Sequence, residues 1–167
     1  MFIFITVLLD VIALGVMIPV LPTLVRSFEG GDTGSAAKVI GLFGMIFAAM
    51  QFFSSPVMGA LSDRYGRRPL ILMSNLGLGL DYVLMALAPN IHWLFFGRVI
   101  AGITAASVTC AGAYIADVTP PEKRAAAYGI FGAAFGIGFV VGPAAGGLLG
   151  GIDPRLPFWV SAGLSLA

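Results

Sequence analysis

Charge is what this sequence has least of. Only 10% of its 167 residues are Asp, Glu, Lys or Arg, against about 25% in a typical soluble domain. Hydrophobic residues make up 59%, and the mean hydropathy is +1.00. A water-soluble chain of this length would have to bury nearly every residue, which its surface-to-volume ratio forbids. The solvent implied is lipid. The net charge is only +1, so there is no basic field for nucleic acid. A single cysteine, Cys110, sits within an apolar run and excludes a disulfide framework. The single histidine, His92, lies at the edge of an apolar run and reads as interfacial. Motifs of ordinary enzyme chemistry are missing as well: no G-x-S-x-G, H-E-x-x-H, phosphate loop or cluster of metal ligands. Gly77 and Gly79 alone are too short a pattern for a dinucleotide loop. No catalytic residue, metal site or bound cofactor is implied.

What is present is a series of apolar runs of membrane-spanning length, which needs roughly 17–25 residues. They cover residues 1–25, 39–60, 69–88, 91–116 and 125–149, with a partial sixth at 157–167. The first lacks a basic leader and carries an acid, so it reads as a span, not a cleaved signal. The sixth covers roughly half the hydrocarbon thickness before the sequence ends. The reading is therefore one transmembrane unit, 1–167, belonging to a longer protein. Among the loops, Arg64, Arg67, Arg68, Lys123 and Arg124 fall on one side, and Arg26, Lys38 and Arg155 on the other. The positive-inside rule puts the first set, and the N-terminus, in the cytoplasm of a multi-pass inner (plasma) membrane protein.

Against that apolar background three charges stand out: Asp10 in span one, Asp81 in span three and Arg98 in span four. A carboxylate at the centre of a membrane helix costs roughly 2.5–3.5 kcal/mol on insertion scales, so such residues mark ion or substrate pathways. Asp81 lies about 18 Å along span three from Pro69. Each acid could instead be satisfied structurally by neighbouring helices. Arg98 could snorkel outward, or hold an ionised Asp10. Gln51 could face a ligand or bond a neighbouring helix. Phe52, Phe53 and Tyr82 could line an aromatic pocket, although lipid-facing aromatics are commoner. Thr104, Ser107 and Thr109 read as polar packing residues.

The loop Gly59-Ala60-Leu61-Ser62-Asp63-Arg64-Tyr65-Gly66-Arg67-Arg68-Pro69 is the most specific stretch. It resembles the G-x-L-x-D-[RK]-x-G-R-[RK] loop between helices two and three of the major facilitator superfamily. The resemblance implies a conformational charge latch, with Arg67 pairing to Asp117 at the end of span four and Asp63 facing a helix of the other half. In span five, Gly138, Gly142, Gly146 and Gly150 recur every four residues, as do Gly132 and Gly136. Such spacing lets two helix backbones approach closely. The string Gly138-x-x-x-Gly142-Pro143-x-x-Gly146-Gly147 also resembles the signature of the superfamily's antiporter branch, and Pro143 suggests a kink.

Asp10 followed by Gly15-x-x-x-Pro19-x-x-Pro22 resembles the first helix of proton-coupled drug exporters. Arg98-x-x-x-Gly102 resembles their fourth. These likenesses imply proton coupling by Asp10 and Arg98. The neighbourhood of Asp81 resembles helix three of tetracycline/H+ antiporters, implying substrate binding by Asp81, with Gln51 a further candidate. The chain thus resembles the N-terminal six-helix bundle of a twelve-helix major facilitator fold, an all-α membrane protein. The implied function is proton-coupled multidrug or tetracycline efflux by alternating access. Its implied partners are the bilayer, protons, a small-molecule drug that could travel as a metal chelate, and a C-terminal six-helix half; nucleic acid is not among them. Two alternatives stay open: a carrier of another small molecule such as a sugar or metabolite, and a non-transport membrane scaffold. Residues 1–167 alone are expected to give no proton-driven drug uptake in reconstituted vesicles; accumulation above protein-free vesicles would contradict this.

Overall fold

The computed structural model describes residues 2–167, so the expected start of the first span at Met1 lies outside the described residues. The described residues form eight α-helices and no strand. The first span is two helices, α1 (Phe2–Met17) and α2 (Val20–Phe28), bent by 40° where they meet. Pro19 sits at the bend. It has no N–H to return to the preceding turn, and Ile18 N closes a tighter turn onto Gly15 O at 3.3 Å.

Helix α3 (Thr33–Tyr65) begins earlier than its apolar run because Asp32 caps it: its carboxylate accepts from Gly34 N at 3.1 Å and Ser35 N at 2.9 Å. Gly66, at φ 95°, turns the chain directly into α4 (Arg67–Leu87). Asn90 caps the fourth span, which is also broken, into α5 (Ile91–Thr104) and α6 (Ser107–Val118). Uninterrupted apolar sequence over 91–116 gave no sign of that break. Side chains bond two carbonyls at the break: Thr104 Oγ1 donates to Ile100 O at 2.9 Å, and Gln51 Nε2 to Ala105 O at 3.3 Å. In lipid such bonds are obligatory. Helix α7 (Pro121–Ile152) passes through Pro143 without ending, and α8 (Leu156–Leu166) follows. Helices α3, α4, α5–α6 and α7 are each long and apolar enough to cross a membrane, and the bent α1–α2 pair makes a fifth such span.

The surface is that of a lipid-solvated protein. Phe52 and Leu148 are 74% and 77% exposed, while the interior holds acids and serines. Two apolar clusters form the core. Along α4, Leu70 and Ile71 join one, and Tyr82, Met85 and Ala86 the other. Ser74, Asn75 and Asp81 fall between them in sequence, and on α1 Asp10 lies between Val7 and Val11 of the first cluster.

The glycine row of α7 packs on α1 and α2. A Cβ on Gly138 would meet Val11 Cγ1 at 2.6 Å, one on Gly142 would meet Gly15 Cα at 2.6 Å, and one on Gly150 would meet Val20 Cγ2 at 2.9 Å. One on Gly146 would run into the carbonyl oxygen of Val16. Gly132 and Gly136, expected to form a similar face, do not: a Cβ on either meets nothing within 4 Å. Spacing alone cannot distinguish the two rows, because both share the period and only one faces α1. Gly147 is likewise open.

These contacts predict an asymmetry within one motif. Gly142→Ala should destabilise the bundle by at least ~1–3 kcal/mol, the usual cost of overpacking, because its new methyl meets backbone that cannot yield. Gly147→Ala should be near neutral. Thermal unfolding in detergent checks this, and equal shifts for the two variants would refute the packing.

Candidate functional site

The short Ala88–Asn90 turn makes α4 and α5 antiparallel neighbours. Asp81 lies eight residues before Pro89 and Arg98 nine after it, which puts both about 12–14 Å from the turn. Equal height brings them together. Arg98 Nη2 is hydrogen-bonded to Asp81 Oδ2, with Asp81 fully buried and the Arg98 side chain 9% exposed. The same nitrogen lies 3.3 Å from Met85 Sδ, and the guanidinium sits 6.0 Å from the centre of the Phe47 ring. Gly97 leaves room for this arrangement, since a Cβ there would collide with Asp81 Oδ1. The partner anticipated for Arg98 was Asp10; the structure gives it Asp81. Two residues equidistant from a helical turn are the signal that would have revealed the pair.

Asp10 is 6% exposed and belongs to a different polar cluster. One partner is Asn75, about one and two-thirds turns of α4 from Asp81, and Ser107 on α6 is another. With the amide nitrogen turned towards the carboxylate, Asn75 donates to Asp10 Oδ2 at 2.9 Å and to Ile71 O at 3.1 Å. Sequence reasoning passed over Asn75. Its signal was a primary amide in the middle of an otherwise apolar run, the same kind of signal that drew attention to Gln51.

Asp10, Asp81 and Arg98 open onto one cavity of about 490 Å³, along with Gln51, Tyr82 and Ser107. Three buried polar atoms in this group lack a hydrogen-bond partner: Asp10 Oδ1, Asp81 Oδ1 and Arg98 Nε. Burying such atoms unpaired is costly, so the cavity presents bonding capacity that helix packing does not use. Phe43, Phe47 and Phe139 supply apolar wall. Gln51 both lines the cavity and bonds the α5–α6 break, so the two roles open to it coincide. Tyr82 is buried at the cavity, whereas Phe52 and Phe53 point away at 74% and 70% exposure. Ser107 and Thr109 border the cavity, while Thr104 is taken up by the helix break. His92 is exposed at the start of α5.

A second charge cluster lies at one end of the bundle. Arg67 Nε meets Asp117 Oδ2 at 3.0 Å, as the loop pattern implied, and Arg67 Nη1 meets Asp63 Oδ1 at 2.8 Å and Ser62 Oγ at 3.2 Å. Asp63, assigned by resemblance to a helix of another half, is held here by Arg67. Its side chain is 67% exposed and Asp117's is 55%, so solvent screens these pairs and they do little for stability. The opposite end of α4 is tied by Arg155, whose guanidinium donates to Ala86 O at 3.3 Å and Ala88 O at 3.0 Å. The glycines Gly138, Gly142 and Gly146 form the α1–α7 seam, with Pro143 beside Gly15, and Gly147 stands outside it.

Comparisons with known proteins bear on this architecture. The chain is 49% identical over 160 residues to the class C tetracycline resistance protein of Escherichia coli, covering 96% of this chain and 40% of that protein. It is 40% identical over 159 residues to the class B protein of the same species, covering 95% of this chain and 39% of the relative. Multidrug resistance protein 2 of Bacillus subtilis (strain 168) is 31% identical over 156 residues, covering 93% and 38%. The chain therefore spans about 40% of the length of these curated relatives. The crystal structure of the human organic anion transporter MFSD10 (TETRAN) superposes with a TM-score of 0.80 at 26% identity, over 98% of this chain and 44% of that one. The family model described as Major Facilitator Superfamily matches residues 3–167. With that match laid over a bundle of apolar helices around a charged cavity, the chain belongs to the Major Facilitator Superfamily.

Proposed function

We propose that this chain forms part of a proton-coupled exporter of tetracycline-like drugs, working by alternating access in the inner membrane with its N-terminus in the cytoplasm. One observation carries the reading: Asp10, Asp81 and Arg98 converge on a single cavity with unpaired polar atoms. The likeness to tetracycline and multidrug resistance proteins supplies the cargo class.

The geometry divides the work between two polar centres. Asp81 and Arg98 neutralise each other, and Asp81 Oδ1 and Arg98 Nε keep unused accepting and donating capacity in the cavity wall. Asp10 has no cation within its own cluster. It can take a proton without an ion pair having to break, which suits it to exchange with the proton gradient. The apolar walls give a drug skeleton somewhere to lie, and Gln51 offers an amide at the rim. A divalent metal chelated by the drug travels as cargo; no resident cofactor enters the cycle, and no step forms or breaks a covalent bond beyond proton transfer. The Asp63–Arg67–Asp117 cluster serves as a latch: exposed ion pairs that form in one state and open in the other bias the equilibrium between states. The remaining part of the cavity is assigned to a second helical half.

The deciding experiment is drug susceptibility of cells expressing the protein from its native gene. Wild type should raise tetracycline resistance at least tenfold, and Asp81→Asn should abolish the gain. No resistance from a wild type shown to reach the membrane would remove the tetracycline reading.

The buried pair predicts a separation of stability from transport. Asp81→Asn strands a buried guanidinium, which should cost ~3–5 kcal/mol, whereas neutralising both partners in Asp81→Asn/Arg98→Gln should restore most of it. Unfolding measurements should therefore rank the double variant above the single one, while neither exports drug. A double variant that transported would remove the pair from the mechanism.

A further inference from the structure

Asn75 is a polar residue of this bundle that no transport motif accounts for. It occupies α4 in the run Met73-Ser74-Asn75-Leu76, half-buried, against the buried carboxylate of Asp10 on α1. A side-chain amide is unusual among partners because its two ends are opposite in kind. The nitrogen donates and the oxygen accepts. An arginine or lysine there would suit only the ionised acid, and a carbonyl only the protonated one.

We propose that Asn75 is a positioning residue for Asp10 that serves both of its protonation states. When Asp10 is ionised, the Asn75 nitrogen donates to Oδ2, as the 2.9 Å contact allows, and its second hydrogen goes to Ile71 O at 3.1 Å. When Asp10 takes a proton from the aqueous side of the cavity on Oδ1, Oδ2 keeps its acceptor capacity. The amide nitrogen goes on donating to Oδ2 and to Ile71 O, so one proton is gained, neither bond is lost and the carboxyl group stays in place across the cycle.

The surroundings leave most of this task to Asn75. From α6, Ser107 borders the cavity and is a hydrogen-bond partner of Asp10. From α4 and α5, Tyr82, Asp81 and Arg98 face the same cavity, the last two paired with each other. The charged residues of α7, Glu122, Lys123 and Arg124, lie in its first turn, and α8 carries none. From α3 the cavity receives Gln51, which is bonded to Ala105 O. Asp10 Oδ1 makes no close hydrogen bond, so the bond from Asn75 at Oδ2, with Ser107 beside it, orients the group. Without it, the carboxyl could rotate about its side-chain bonds and lose its aim into the cavity.

This inference rests on the proposed proton coupling at Asp10, and the test separates the two. Everted membrane vesicles carrying the protein expressed from its native gene are assayed in two modes with radiolabelled tetracycline: uptake driven by an imposed pH gradient, and counterflow without a gradient, in which labelled drug exchanges for unlabelled. Asn75→Leu, similar in volume with neither donor nor acceptor, is expected to lower gradient-driven uptake about tenfold and leave counterflow within about twofold. Asn75→Gln, which keeps both ends of the amide, should recover part of the driven rate. Equal loss in both modes would make Asn75 a packing residue and overturn the proposal, as would full activity of Asn75→Leu in both. Asp10→Asn is the parallel control. If it retained gradient-driven uptake, coupling at Asp10 would fail irrespective of Asn75.

Discussion

A carboxylate held against a guanidinium inside an apolar bundle is the interaction on which the rest of this structure depends. In water the Asp81–Arg98 pair would contribute little, because solvent screens it. Surrounded by helices whose outer faces meet lipid, neither partner can be removed alone without stranding a charge. The pair therefore locks in the mutual height that the short turn gives α4 and α5. It also demands Gly97 beside it, since any larger residue would occupy the space of the Asp81 carboxylate. The cavity takes its polarity from the capacity left over after the two charges have satisfied each other.

The same logic explains why two helices break where they do. A helix interruption within a bilayer needs other donors for its freed carbonyls. The α5–α6 break finds two such donors in Thr104 and in Gln51, which reaches across from α3. Gln51 thereby ties an irregular backbone segment to the cavity rim. A ligand that drew Gln51 away would leave Ala105 O without its bond. Site and backbone are coupled through one amide.

Much of this was legible in the chain. The apolar runs located the helices, the loop from Gly59 to Pro69 gave the family, and the four-residue glycine period of α7 gave a close packing face. What stayed hidden has physical causes. Periodicity reports a stripe on a helix but not which neighbour it meets, so Gly132 and Gly136 looked equivalent to Gly138 and Gly142. Breaks cost nothing in hydropathy, so the interruptions at Pro19 and Ala105 lay inside unbroken apolar sequence. Partner choice among charges depends on relative heights, and Arg98 went to Asp81 because their shared turn is short, while Asp10 on a distant helix found Asn75. A lone neutral amide attracts less notice than a charge, although lipid makes its pairing nearly as obligatory.

The α1–α7 seam carries a mechanical consequence. Where glycines let backbone rest on backbone, no side chain lies between the helices to change rotamer and take up a displacement. Two rods joined so tightly shift together or not at all. Gly146 meets Val16 and Gly150 meets Val20, on either side of Pro19, so α7 holds the bend between α1 and α2 as well. The seam is a beam whose line is set by where side chains are absent.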